Sequence, residues 1–177
     1  FPVGQNSADA VYGVQLDDDI RCQYVESFVE LVIKEVHTYN VPVSADVFGT
    51  IIKSPVDAGR VGQNYLALAS LLDALNPMIY PSHYAAGEFG LEVPDAAPYQ
   101  TIYAALMGSA STLSSIDEED RPAIRAWLQA FTADWIDGYI DYGGDEIRDQ
   151  IQAVYDAGYD EWILWNSASH YSSDGLE

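Results

Sequence analysis

The sequence predicts an α/β fold built on parallel strands, and three observations carry that expectation. Helical and strand periodicities alternate four times along the chain, the pattern of strands joined by right-handed crossovers. Equivalent points on the expected strands, Asp46, Tyr80, Gln129 and Trp165, follow one another at intervals of 34, 49 and 36 residues. A (β/α)8 TIM barrel of about 250 residues uses roughly 31 per unit, so these intervals suit a barrel with one enlarged loop, yet 177 residues cannot hold eight units. Two architectures fit: half of a (β/α)8 barrel without its N-terminal strands, or an open doubly wound sheet of about four strands. No Gly-x-Gly-x-x-Gly follows a strand and no Gly-x-x-x-x-Gly-Lys-Ser/Thr occurs, so the open sheet lacks its phosphate cradle and the half-barrel is favoured.

The elements follow in order. Asp17, Asp18 and Asp19 supply capping carboxylates, and Ile20, Val25, Phe28, Val29, Val32 and Val36 recur at helical spacing, so a long helix ends near Tyr39 and Asn40. Residues 41–48 read as a strand with proline at its entrance, where a missing N–H is tolerated. Tyr65, Leu68, Ala69, Leu72 and Leu75 form one face of a second helix, and residues 77–80 make the next short strand. Pro98 opens a third helix through Ile102, Leu106 and Leu113, residues 117–120 are an acidic connector, and residues 123–131 read as a third strand. Gly143, Gly144 and Asp145 start a fourth helix with Ile147, Ile151, Val154 and Tyr155 on one side, and Gly158 stops it. Residues 162–165 are the fourth strand, and the tail from Asn166 is polar.

Composition narrows the function classes. Hydrophobic residues make up 49% of the chain and aromatics 12%, enough for a core in a single domain over residues 1–177. Twenty-eight acidic residues against seven basic ones give a formal charge of -21, a field that repels nucleic acid and anionic lipid headgroups. The plain reading of this acidity is a solvated surface. Cys22 is the one cysteine, which rules out an intrachain disulfide and a cysteine-based metal site; its apolar neighbours mark it as a small core residue. No run approaches the roughly 20 apolar residues of a membrane span, and no signal-peptide pattern stands at the N-terminus. The compartment, extracellular, cell-envelope or cytoplasmic, is therefore left open. The chain begins on Phe1 rather than methionine, as expected if sequence upstream has been removed.

In parallel α/β folds ligands meet the carboxyl ends of the strands, because the loops there face one side. Those ends carry Ser44, Asp46 and Phe48; Tyr80, Ser82, His83 and Tyr84; Trp127, Gln129 and Phe131; and Trp165, Asn166 and Ser167. Rings stack on the apolar face of a sugar while amides, hydroxyls and carboxylates take its hydroxyl groups, so this mixture suits a carbohydrate site. Each residue also has a structural reading. Asp46 lies among apolar neighbours and is costly to bury unpaired, so it is either an acid/base or hydroxyl-binding group or a structural ion pair or cap. His83 binds a ligand or orients a carboxylate, or else bonds loop backbone. Tyr80 and Trp165 are stacking platforms or core, and Gln129 needs partners for its amide, whether ligand or neighbour. Glu88, in a glycine-rich loop, is solvated unless that loop closes over substrate, when it becomes a catalytic acid. His37 and His170 belong to no constellation. The sequence contains no His-Glu-x-x-His, no paired histidines and no cysteine cluster, so no metal or other cofactor is expected, and no Gly-x-Ser-x-Gly elbow occurs.

The stretches Val43-Ser-Ala-Asp-Val-Phe-Gly49, Gly62-Gln63, Pro77-Met-Ile-Tyr-Pro-Ser-His-Tyr84, Trp127-Leu-Gln129 with Phe131, and Gln150-Ile151 with Trp162-Ile-Leu-Trp-Asn166 together resemble a bacterial glycosyl hydrolase domain family, in the family's order over nearly the whole chain. The resemblance implies a TIM barrel related to glycoside hydrolases and carbohydrate breakdown, with the sugar undefined. It implies that Phe1-Pro2 end strand four, that this chain is the C-terminal half of the barrel, strands five to eight, and that an acidic residue of strand four lies upstream. Where the family tends to have Arg-Pro-Trp-Leu-Gln-Asp-Phe, this sequence reads Arg125-Ala-Trp-Leu-Gln-Ala-Phe131, so any role of the second aspartate is absent at Ala130.

If the mechanism that the resemblance implies is the usual one, two carboxyl groups flank the scissile bond; Asp46 is then the one in this chain, and its partner is the strand-four acid or Glu88. Tyr80, His83, Tyr84, Trp127, Gln129, Trp165 and Asn166 then line the sugar subsites. A half-barrel exposes sheet edges and its inward face, so its expected partners, besides a carbohydrate, are the missing half or a second copy. Two competing readings are a non-catalytic carbohydrate-binding barrel of the cell envelope and a small flavodoxin-like binding domain.

Overall fold

The structure, a computed structural model, describes residues 10–176, so the expected strand end at Phe1 and Pro2 lies outside the described residues. The chain divides into two compact units, one with the residues up to Leu75 and Thr112–Ala123, the other with Asn76–Ser111 and the residues from Ile124 onward.

The first unit opens with helix α1 (Asp18–Val36). The Asp17 side chain accepts from the Ile20 N–H at 2.8 Å, and Asp18 and Asp19 follow in the first turn, where the helix dipole favours negative charge. A 3-10 turn (His37–Tyr39) tightens the end, and Asn40 closes it in the left-handed region at φ 55°, which asparagine tolerates. Strand β1 (Ser44–Phe48) is shorter than the periodicity predicts. Its residues alternate strictly, with Ser44, Asp46 and Phe48 exposed and Val47 buried between them. The strand entrance is tied by Asp73, whose Oδ2 accepts from the Val43 N–H at 2.6 Å and stands 2.8 Å from His37 Nε2.

The expected helix from Tyr65 to Leu75 is cut to its first turns, and a second short helix precedes it. Helix α2 (Pro55–Val61) has Ser54 as its cap and proline in its first turn, and it ends on Gly62 at φ 73°. Helix α3 (Tyr65–Ala69) is capped by Asn64 and stops after five residues. The chain leaves it because Asp73 and Ala74 pair their N–H groups with the Val43 carbonyl, which turns Leu75 into a strand residue. Strand β2 (Ala74–Met78) therefore starts earlier than expected, with Pro77 inside it and Tyr80 beyond its end. Tertiary pairing overrides the local 3.6-residue period here. Helices α1 and α2 pack so closely that a Cβ on Gly59 would stand 2.5 Å from the Asp18 side chain.

The second unit contains most of helix α4 (Pro98–Leu113) and of strand β3 (Ala123–Gln129), with helix α5 (Gly144–Asp156) and strand β4 (Glu161–Trp165). The sheet order is β1-β2-β3-β4, each strand lying beside its sequence neighbour. Strands β3 and β4 run parallel, with Arg125 opposite Glu161 and Gln129 opposite Trp165. Ile124, Ala126 and Leu128 are buried on one face of β3, and Ile102 and Leu106 are buried on α4. Glu146 reaches back to the Gly143 N–H at 2.8 Å to start α5, and Ile147, Ile151 and Val154 bury the face their spacing predicts. Tyr155, expected on that face, is exposed instead and accepts from the Trp162 indole N–H at 3.2 Å. Gly158, at φ 86°, follows the helix end as expected.

Candidate functional site

Beyond β2 the backbone stays attached to its neighbour through the Ile79 N–H, which donates to the Trp127 carbonyl at 3.1 Å. Tyr80 is extended, as a residue before proline must be, and Pro81 begins a 3-10 turn (Pro81–His83). The buried Tyr80 ring meets His83 edge-on at 5.0 Å and Phe131 at 6.0 Å. His83 itself is exposed, but desolvation of its packed side lowers its pKa below the usual histidine value of 6.5. It is thus neutral at physiological pH, with one ring nitrogen a donor and the other an acceptor.

Gln129 is the fastener of this region. It is 0% exposed, and its amide is committed to protein atoms: Oε1 accepts from the Ser82 N–H at 3.1 Å, while Nε2 donates to Asp95 Oδ1 at 2.9 Å and to the Phe131 carbonyl at 3.1 Å. Gln150 on α5 completes the arrangement from the other side. Its Oε1 accepts from the Gln129 N–H at 2.9 Å and its Nε2 donates to the Gln129 carbonyl at 2.8 Å, so a side-chain amide stands in for a neighbouring strand. Sequence reasoning missed Asp95, which is 1% exposed. Burial raises its pKa, outweighing the hydrogen bonds from Gln129, the Ile140 backbone and Tyr142 that favour the charged form. Tyr142 donates to the Asp95 carbonyl at 2.9 Å, and its own pKa is raised by burial first and by Asp95 second.

The other expected residues spread along the same strand ends. Tyr84 packs against Phe89 with ring centroids 5.0 Å apart, in a loop closed by the Gly87 N–H on the Leu91 carbonyl at 2.7 Å. Glu88 is exposed on that loop, and Phe89 beside it has a positive φ of 55°. Trp127 is half-buried and meets Trp165 edge-on at 5.8 Å; Trp165 is 42% exposed. Below them Arg125 Nε donates to Glu161 Oε2 at 2.6 Å, which pairs two charges on the sheet face. Asn166 donates to the Ala130 carbonyl at 2.5 Å and accepts from the Ala168 N–H at 2.8 Å, which leaves one amide hydrogen for another acceptor.

Asp46 belongs to the first unit. It is exposed on the same strand face as Ser44 and Phe48. The strand end is held by Gln63, whose Oε1 accepts from the Phe48 N–H at 3.0 Å, and Gly62 supplies the left-handed turn that brings Gln63 there. A cavity of about 330 Å³ in this unit is lined by Asp18, Cys22, Lys53 and Tyr65, among others, but by none of the expected site residues. Among the described residues no group of three or more His, Cys, Asp or Glu could hold a metal ion, and no helix is long and apolar enough to cross a membrane.

Residues 1–171 match the family described as "Putative glycosyl hydrolase domain". Among solved structures, the glycoside hydrolase domain of PgaB (BpsB) from Bordetella bronchiseptica is similar at 16% identity and a TM-score of 0.61, over 90% of this chain and 42% of that one. The chain thus spans less than half of that structure's length. Bee venom hyaluronidase, solved in complex with a hyaluronic acid tetramer, gives a TM-score of 0.40 at 17% identity, over 63% of this chain and 29% of that one. No curated protein matches the sequence.

Proposed function

The chain belongs to the putative glycosyl hydrolase domain family, and on that premise we propose that it is the C-terminal half of a (β/α)8 barrel that hydrolyses glycosidic bonds in an oligo- or polysaccharide. In this reading its strands are numbers five to eight of the barrel. The observation that carries it is Asp46, an exposed carboxylate near the carboxyl end of β1 whose strand end is held by Gln63. Asp46 acts with a second carboxyl group, for which a strand-four acid upstream is the candidate. A separation of about 5–5.5 Å would give retention and about 6.5–9.5 Å inversion.

Tyr84, Trp127 and Trp165 present rings to the sugar, neutral His83 and the remaining amide hydrogen of Asn166 take its hydroxyl groups, and the buried Tyr80 ring backs His83 from the core. Gln129 acts through others, since its amide is committed to Ser82, Asp95 and Phe131, and is a positioning residue. The test is product analysis with the full-length protein on a panel of glycans. Asp46→Asn is expected to lower turnover by about 10²–10⁴-fold with glycan binding retained. Unchanged turnover in that variant would remove Asp46 from the chemistry. Ala130, where the family pattern places an aspartate, favours one second reading, a carbohydrate-binding barrel of the cell envelope without turnover. It predicts binding and no products from the unmutated protein.

A further inference from the structure

We infer that Trp135, backed by Phe131, forms a stacking ledge for a neutral sugar ring and extends the site beyond the strand ends; the inference rests on the carbohydrate reading above. Trp135 is 66% exposed, although it belongs to the loop that leaves β3 rather than to any apolar face of a helix or strand. One side of its indole lies against Phe131, with centroids 6.1 Å apart and planes 17° from parallel. Phe131 meets Tyr80 and Tyr80 meets His83, so a continuous run of rings leads from the end of β2 to an indole open to solvent.

The ledge stands on a fixed base. The Phe131 carbonyl is held by Gln129 Nε2 at 3.1 Å, and Thr132 Oγ1 accepts from the Tyr142 N–H at 3.0 Å. The Ala130 N–H donates to the Trp165 carbonyl at 2.9 Å, and Ala133 is fully buried. A ring held in place before the ligand arrives spares the binding step the cost of ordering a loop, and a flat apolar surface with an N–H at its edge suits the C–H face of a pyranose. Charge sets the class of sugar. Asp134 and Asp137 are exposed in the same loop, and the chain carries -21 overall, so they accept hydrogen bonds from hydroxyl groups and repel uronate or sulfated rings.

The test is titration calorimetry on the full-length protein carrying Asp46→Asn, so that ligand is not consumed, with neutral tetrasaccharides of the gluco, xylo, manno and N-acetylchito series and with tetragalacturonate. Trp135→Ala in that background is expected to weaken the neutral ligand that binds by roughly tenfold, while Trp135→Phe retains most of the affinity. Because Trp135 is exposed, the melting temperature should be unchanged, which separates lost stacking from lost folding. Unaltered affinity in Trp135→Ala would overturn the ledge and leave the hydrolase reading standing. Failure of every glycan to bind the parent protein would overturn both. Tetragalacturonate binding as tightly as its neutral counterparts would overturn the neutral class, and a change in self-association instead of glycan affinity would show the indole to be a protein contact.

Discussion

Asp95 sits between the end of β3 and the loop before α5, with Gln129, the Ile140 backbone and Tyr142 all favouring its charged form, and burial still raises its pKa above the ordinary 3.8. The folded state therefore holds this proton more tightly than the unfolded chain does. Its contribution to stability falls as pH rises from about 4 through the folded-state pKa. Asp95→Asn keeps the shape and the acceptor for Gln129 but removes the titration. In urea unfolding followed from about pH 4 to 8, the stability of the parent protein should decline relative to the variant as pH rises. Parallel curves would mean that burial does not control this carboxyl. Nothing in the sequence marks Asp95, because Pro94-Asp95-Ala96 has no periodicity and its burial is assembled by residues far apart in the chain. Gln129 was legible as a polar residue in an apolar strand that needed partners. Its partners turned out to be backbone and a carboxyl group, which a spacing argument cannot distinguish from a ligand.

Among the elements, the close approach of α1 and α2 makes Gly59 the position least able to accept a side chain in the first unit. Gly59→Ala would set a methyl group 2.5 Å from the Asp18 side chain, so the helices must separate or Asp18 must give up its place beside Arg21. We expect a loss of about 1–3 kcal/mol, the usual range for overpacking, read as a lower denaturant midpoint with an unchanged slope. A neutral result would show that α1 moves freely over α2. The long helices α1, α4 and α5 were legible because a start signal and an apolar repeat agreed, although α1 buries none of its residues fully and Phe28 of its expected face is 65% exposed. Helix α2 was not, since Pro55-Val-Asp-Ala-Gly-Arg-Val61 is too short and too polar to present a stripe. The start of β2 was misplaced for another reason. Leu72 and Leu75 continue a helical repeat, and only pairing with Val43 reveals that the chain has already become extended.

For the molecule as a whole, 28 acidic residues against seven basic ones mean that most carboxylates have no basic residue to pair with. Mutual repulsion should weaken the folded state at low ionic strength and be screened as salt is added. Raising sodium chloride from about 0.01 M to about 1 M shortens the screening length from roughly 30 to 3 Å, and the melting temperature should climb by about 2–4 °C per kcal/mol of repulsion relieved. A melting temperature indifferent to salt would mean the charges lie too far apart to matter. Alternation of helix and strand was enough to anticipate a parallel sheet of about four strands, but barrel closure depends on strand number, tilt and stagger, which alternation does not encode. The Gln129 and Gln150 amides largely grip main-chain atoms, those of Ser82, Phe131 and residue 129 itself. Such a grip is blind to which side chains positions 82 and 131 carry, so descendants of this protein can change what the loops recognise while inheriting where the loops stand.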